Sequence, residues 1–131
     1  MAARIWQGIQ GLVHGHKIIV GSFRPNGSSA LVSSQVTGRG FSVARTSTGL
    51  YTVTFVDPYP QLVGFSFSAR VSDATPVIVQ GGAWSAANKT LVIRVLKETT
   101  GTLAVADLAS DADNVISFVA HFRNSNINVT G

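Results

Sequence analysis

From residue 17 onward, apolar and polar side chains alternate in short runs separated by turn-forming residues. The clearest case spans 41–56. Phe41 and Val43 alternate with Ser42 and Ala44; after Ser47, Thr48 and Gly49, the residues Tyr51, Val53 and Phe55 alternate with Thr52 and Thr54. Period two on both sides of a turn marks two strands with one buried and one wet face. Gly49 suits the left-handed turn that closes such a hairpin.

The same rhythm predicts strands over 17–23, 62–71, 75–84, 89–97 and 115–123, and a weaker one over 30–36. In 62–71, Phe65, Phe67 and Ala69 share one side and Ser66, Ser68 and Arg70 the other. Leu91, Ile93 and Val95 are expected inward, as are Ile116, Phe118, Ala120 and Phe122. Gly81-Gly82 predicts a β-bulge. Pro25 with Asn26-Gly27, and Pro58 with Pro60, predict turns. Residues 98–102 read as a turn and 107–114 as a polar loop with room for one helical turn. The expectation is an all-β fold, an antiparallel β-sandwich or jelly roll of seven to eight short strands.

The first 16 residues break the rhythm. Ile5, Ile9, Leu12 and Val13 sit at helical spacing, but Gly8 and Gly11 each cost about 1 kcal/mol in a helix interior. Residues 1–16 therefore read as an N-terminal arm, and 17–131 as one β-sandwich domain. The segment is too short and too glycine-rich for the apolar core of a secretory leader, and no stretch of about twenty apolar residues predicts a membrane span.

Composition sharpens this picture. The chain has 131 residues, enough for one domain with a real core. Charged residues make up only 12%, about half the usual ~25%. Solubility then rests on Ser, Thr, Asn and Gly, which suits a surface partly covered by neighbours. The net charge of +4 is uneven: residues 1–97 carry +7 and residues 98–131 carry −3. Opposite signs in one chain suit contacts between copies. The basic residues are scattered, mostly one per strand or turn, and do not form the basic face expected of a nucleic-acid binder. There is no cysteine, hence no disulfide and no thiolate metal site. The Asn-x-Ser/Thr triplets at Asn26, Asn88 and Asn128 read as composition rather than glycosylation.

Candidate chemistry is sparse. His14 and His16 face the same side if extended, and the only further histidine is His121; the spacing supplies no third ligand, so no metal site is expected. Asp107, Asp111, Asp113 and Asn114 offer oxygens, but not at the spacing of a calcium loop; they read as a solvent loop, with calcium at a subunit contact as the alternative. No G-x-S-x-G elbow, paired carboxylates or phosphate-binding glycine loop occurs. The sequence reads as non-enzymatic, with no cofactor and no nucleic-acid or membrane partner. Trp6, Tyr59 and Trp84 fall outside the alternation. Trp84 suits a core cap. Tyr59, between two prolines, is expected in an exposed loop, available for contact with another chain.

The stretch GFSVARTSTGLYTVTF at 40–55, the closing ISFVAHFRNSN at 116–126 and IIVGSF at 18–23 resemble small bacteriophage virion proteins of the jelly-roll-like decoration or cement type. The shared motifs are structural, and no functional residue is carried over from them. The resemblance implies a capsid-surface protein that bridges and stabilises major capsid subunits, as a homo-oligomer with a trimer favoured. The expected partner contacts are Ile5, Trp6, Ile9, Leu12 and Val13 of the arm, with Tyr59. Two alternatives remain. A tail-fibre or receptor-binding head predicts a concave aromatic patch for a host glycan; a small hydrolase or cupin predicts converging histidines and carboxylates.

Overall fold

The computed structural model describes residues 16–72 and 74–123. The arm lies outside this range except for His16, so Ile5, Trp6, Ile9, Leu12 and Val13 fall outside the described residues.

The chain forms nine strands among the described residues: β1 His16–Phe23, β2 Val36–Gly38, β3 Phe41–Ser47, β4 Leu50–Phe55, β5 Gln61–Arg70, β6 Val77–Ser85, β7 Thr90–Thr99, β8 Thr102–Val105 and β9 Val115–Arg123. They make two antiparallel sheets, one in the order β2-β1-β9-β5 and the other β3-β4-β7-β6, with β8 also paired to β7. The all-β sandwich is therefore as expected. β4 pairs with Thr90–Arg94 of β7 and β8 with Leu96–Thr99, so these two strands lie end to end along one edge of β7 while β6 lies along the other.

The inward faces follow the alternation. Tyr51, Val53 and Phe55 of β4, Leu91, Ile93 and Val95 of β7, and Ile116, Phe118, Ala120 and Phe122 of β9 are all buried. Each large apolar side chain so buried is worth about 1.5–3 kcal/mol relative to exposure. The rings interlock across the sandwich. Phe122 lies 4.7 Å edge-on from Phe55 and 4.4 Å in a stack with Tyr59, centroid to centroid.

Phe41, on β3, explains two glycines of the opposite sheet. Its ring meets Phe118 edge-on at 4.9 Å. It rests on Gly21 and Gly38, which are direct partners across β1 and β2. A Cβ on Gly21 would come within 2.1 Å of Phe41 Cζ, and one on Gly38 within 2.6 Å of its Cε1. The hairpin glycine behaves as expected: Gly49 has φ +65, and a Cβ there would meet the backbone of Ala106 and Val95. The bulge also falls where predicted, between Gly81 and Trp84.

Two elements differ from the sequence reading. Residues 30–36 do not form a strand; a 3-10 turn occupies Ser33–Gln35, followed by the three-residue β2. Gln35 causes this by folding back, its Oε1 accepting the Val32 N–H at 2.9 Å while its own N–H donates to the Val32 carbonyl at 2.9 Å. The strand β8 has no counterpart in the sequence pattern, because its four residues are too few to show a period. The 107–114 loop is a loop as expected, but Leu108 and Asn114 within it are buried.

Candidate functional site

The outer faces of the two sheets hold most of the unusual side chains. On β1, β9 and β5 the outward positions align as rows. Val20 lies beside Val119, which lies beside Ser66; Ser22 lies beside Ser117, which lies beside Ser68; Ile18 lies beside His121. Val20 is 60% exposed, Ile18 40% and Val119 39%. None of the four strands of this sheet carries a carboxylate. The face is thus apolar at its centre, serine-lined beside it, and basic at its two ends through Arg123 and Arg70.

The outer face of the other sheet is apolar in a different place. Ile78 of β6, Leu96 of β7 and Val105 of β8 sit side by side in register. Leu103 flanks them, and it, Ile78 and Val105 are all more than two-fifths exposed. Arg94 and Glu98 lie on either side of Leu96 along β7, on the same face. Sequence reasoning missed these residues. A signal was present: KIIVGSF and TLVIRVLK are apolar at both parities in part of their length, so one apolar set was bound to face outward.

The histidines come together, in part. Nδ1 of His16 and Nε2 of His121 are hydrogen-bonded to each other, with ring centroids 4.5 Å apart and planes tilted by 57°. They sit on the outer face of the first sheet, near Arg123, whose guanidinium donates to Gln61 Oε1 at 3.3 Å. The pKa of His16 is lowered, by desolvation first and then by the charges of His121 and Arg123. His14 falls outside the described residues. Among the described residues no group of three or more His, Cys, Asp or Glu converges.

The oxygen-rich loop serves the fold. Asp107 accepts from Arg45 Nε at 3.0 Å and from its second guanidinium nitrogen at 2.7 Å, and also takes the Gly49 N–H at 3.0 Å. The Arg45 hydrogen bond, then that from Gly49, hold the Asp107 carboxyl below its usual range against an opposing effect of burial. Asn114 accepts the Ser72 N–H at 2.8 Å and donates to the Ala109 carbonyl at 2.9 Å. Asp107 thereby ties the loop to β3, and Asn114 ties it to the segment that follows β5. Burial, aided by the negative charge of Asp107, pushes the Tyr51 hydroxyl up to about 12, out of reach of acid–base work near neutrality.

Tyr59 requires a correction. It is not exposed: it is 3% accessible and its ring stacks on Phe122. The flanking prolines turn the loop so that the ring caps the core, where its apolar area is worth more than in water. The ring is therefore withdrawn from contact with another chain. Trp84 caps the same cluster, 5.3 Å from Phe122 and 5.9 Å from Phe55. Surface hollows exist, one of about 300 Å³ between Leu31, Val36 and Phe41 and one of about 350 Å³ beside Lys17, Arg39 and Asp57. The first is lined by apolar side chains and serines. The second holds Lys17 and Asp57, paired at 3.9 Å.

No protein-family model matches the chain, and neither curated proteins nor solved structures show a significant similarity to it.

Proposed function

We propose that this chain is a non-enzymatic structural component of a bacteriophage particle, a capsid decoration protein that bridges major capsid subunits at the outer surface of the virion. The observation that carries the reading is the outer skin of the sandwich: both sheets present aligned apolar side chains on a surface otherwise poor in charge. Isolated exposed apolar residues are ordinary, but rows of them across neighbouring strands mark contact surfaces. The inside of the sandwich is filled by interlocked rings, which makes a stiff slab. A stiff slab with adhesive faces suits a protein that must hold subunits together under load. Self-association adds strength, because linked copies turn weak single contacts into tight attachment through effective concentration. The phage assignment itself rests on the sequence resemblance of 18–23, 40–55 and 116–126.

The fibre-head alternative requires an aromatic platform for a sugar. Tyr59 and Trp84, the described aromatics outside the regular alternation, turn toward the core, and this favours the decoration reading.

The test is binding of the purified protein to expanded empty capsids, read by co-sedimentation, with capsid melting followed in parallel. Bound protein and a raised capsid melting temperature are expected. Binding to host glycan or cell envelope without binding to capsids would overturn the proposal in favour of a fibre head.

A further inference from the structure

The outer face of the β3-β4-β7-β6 sheet carries a pattern that is complementary to itself. Leu96 is at the centre, with Ile78 on one side and Val105 on the other, all in one row across β6, β7 and β8. Two residues before Leu96 on β7 is Arg94, with Leu50 beside it on β4. Two residues after Leu96 is Glu98, with Leu103 beside it on β8. Arg94 and Glu98 therefore stand at equal distances, about 7 Å along the strand, on opposite sides of the apolar row. Neither belongs to an ion pair among the described residues.

We infer that this face is an interface with a second copy of the chain, related by a two-fold axis that runs along the Ile78–Leu96–Val105 row. Rotation by half a turn about that row places each apolar residue of the row over its own counterpart. It also places Arg94 over Glu98 of the second copy, and Leu50 over Leu103 of the second copy. The contacts of the row and of β7 and the β4–β8 edge are thus matched in kind, apolar on apolar and cation on anion, with the Arg94–Glu98 and Leu50–Leu103 contacts each made twice, as a two-fold interface demands; at the β6 margin Gln80 falls over Pro76. A surface built for an unrelated partner has no reason to place its charges symmetrically about its own apolar line.

The face is small. Three strand widths at ~4.8 Å, for β6, β7 and the β4–β8 edge, and about seven residues at ~3.4 Å give a projected face of roughly 340 Å² per copy. The pair then covers roughly 700 Å², below the ~1,000 Å² total of stable specific interfaces, so the association is weak, reversible and sensitive to single charges. The inference goes beyond the decoration reading and does not depend on it. It also replaces the trimer implied by the resemblance with pairing in twos, at least through this face.

The experiment is a charge swap read by sedimentation equilibrium over a concentration series. The unmodified chain is expected to shift from monomer to dimer. Arg94→Glu brings two carboxylates face to face across the interface, and Glu98→Arg brings two guanidinium groups together; each is expected to weaken dimerisation at least about tenfold. The double variant R94E/E98R restores the pairs and is expected to dimerise within about threefold of the original. A chain that stays monomeric, a trimer unaffected by the single swaps, or a double variant no better than the singles would overturn the inference. So would loss of capsid binding by the single swaps with unchanged self-association, which would assign the face to a different partner.

Discussion

Gly21→Ala is the sharpest probe of how the two sheets meet. Gly21 lies mid-strand in β1, directly opposite Gly38, and its φ is not left-handed, so alanine meets no backbone obstacle there. What it meets is Phe41: the new Cβ would lie 2.1 Å from Cζ and 2.4 Å from Cε1, and 2.9 Å from Phe118 Cζ. The Phe41 ring must swing away. Overpacking of this kind costs ~1–3 kcal/mol. Losing the edge-on contact with Phe118 costs a further ~0.5–1.5 kcal/mol. Replacing glycine by alanine in an ordered strand returns ~0.5–1 kcal/mol. The net is a loss of about 2 kcal/mol. For a chain of 131 residues, the unfolding entropy is ~0.28 kcal/mol/K, so the melting temperature should fall by ~7 °C. The control is Phe41→Leu, which lacks both clashing atoms. In the double variant the clash with Phe41 is absent and only the 2.9 Å approach to Phe118 Cζ remains, so the G21A penalty should shrink by at least ~1 kcal/mol, a coupling that a double-mutant cycle in urea resolves. Additive losses within ~0.5 kcal/mol would show that Phe41 does not sit on Gly21, and the account of how β3 packs on β1 would fail.

Other expectations concern charge. Asp107 has a lowered pKa when folded, so its stabilising contribution is present above the unfolded carboxylate value of 3.8 and is lost as pH falls through the lower folded value. Asp107→Asn, which removes the charged hydrogen bonds to Arg45, should cost ~2 kcal/mol at neutral pH and flatten the acid limb of a melting-temperature profile; an unchanged profile would contradict the clamp. His16 also has a lowered folded pKa, so stability is full above 6.5 and declines as pH drops from there toward the folded value. His16→Gln should remove the part of the decline below about pH 6.5 that belongs to this side chain, as measured by thermal unfolding over an acid pH series. A histidine-free decline of the same size would place the acid sensitivity elsewhere.

The sequence by itself determined the inward face of each long strand. In 50–55, 91–95 and 116–122 every second residue is apolar, and a period of two leaves only one way to bury that set. It also placed the Gly49 turn, which depends on that residue's left-handed backbone, and the Gly81-Gly82 bulge, where φ is not positive and the missing side chains leave room for Phe67 and Val92. Tertiary structure alone decided the rest. Whether the second apolar set, Val20, Val119, Leu96 and Ile78, is covered depends on which strands and sheets lie against it, and periodicity carries no information about partners. Tyr59 looked outward because its neighbours are prolines, yet the core offered its ring a stack on Phe122 and the loop bent to use it. The meeting of His16 with His121, and of Arg45 with Asp107, joins residues far apart in the chain, through pairings of strands that no local pattern specifies.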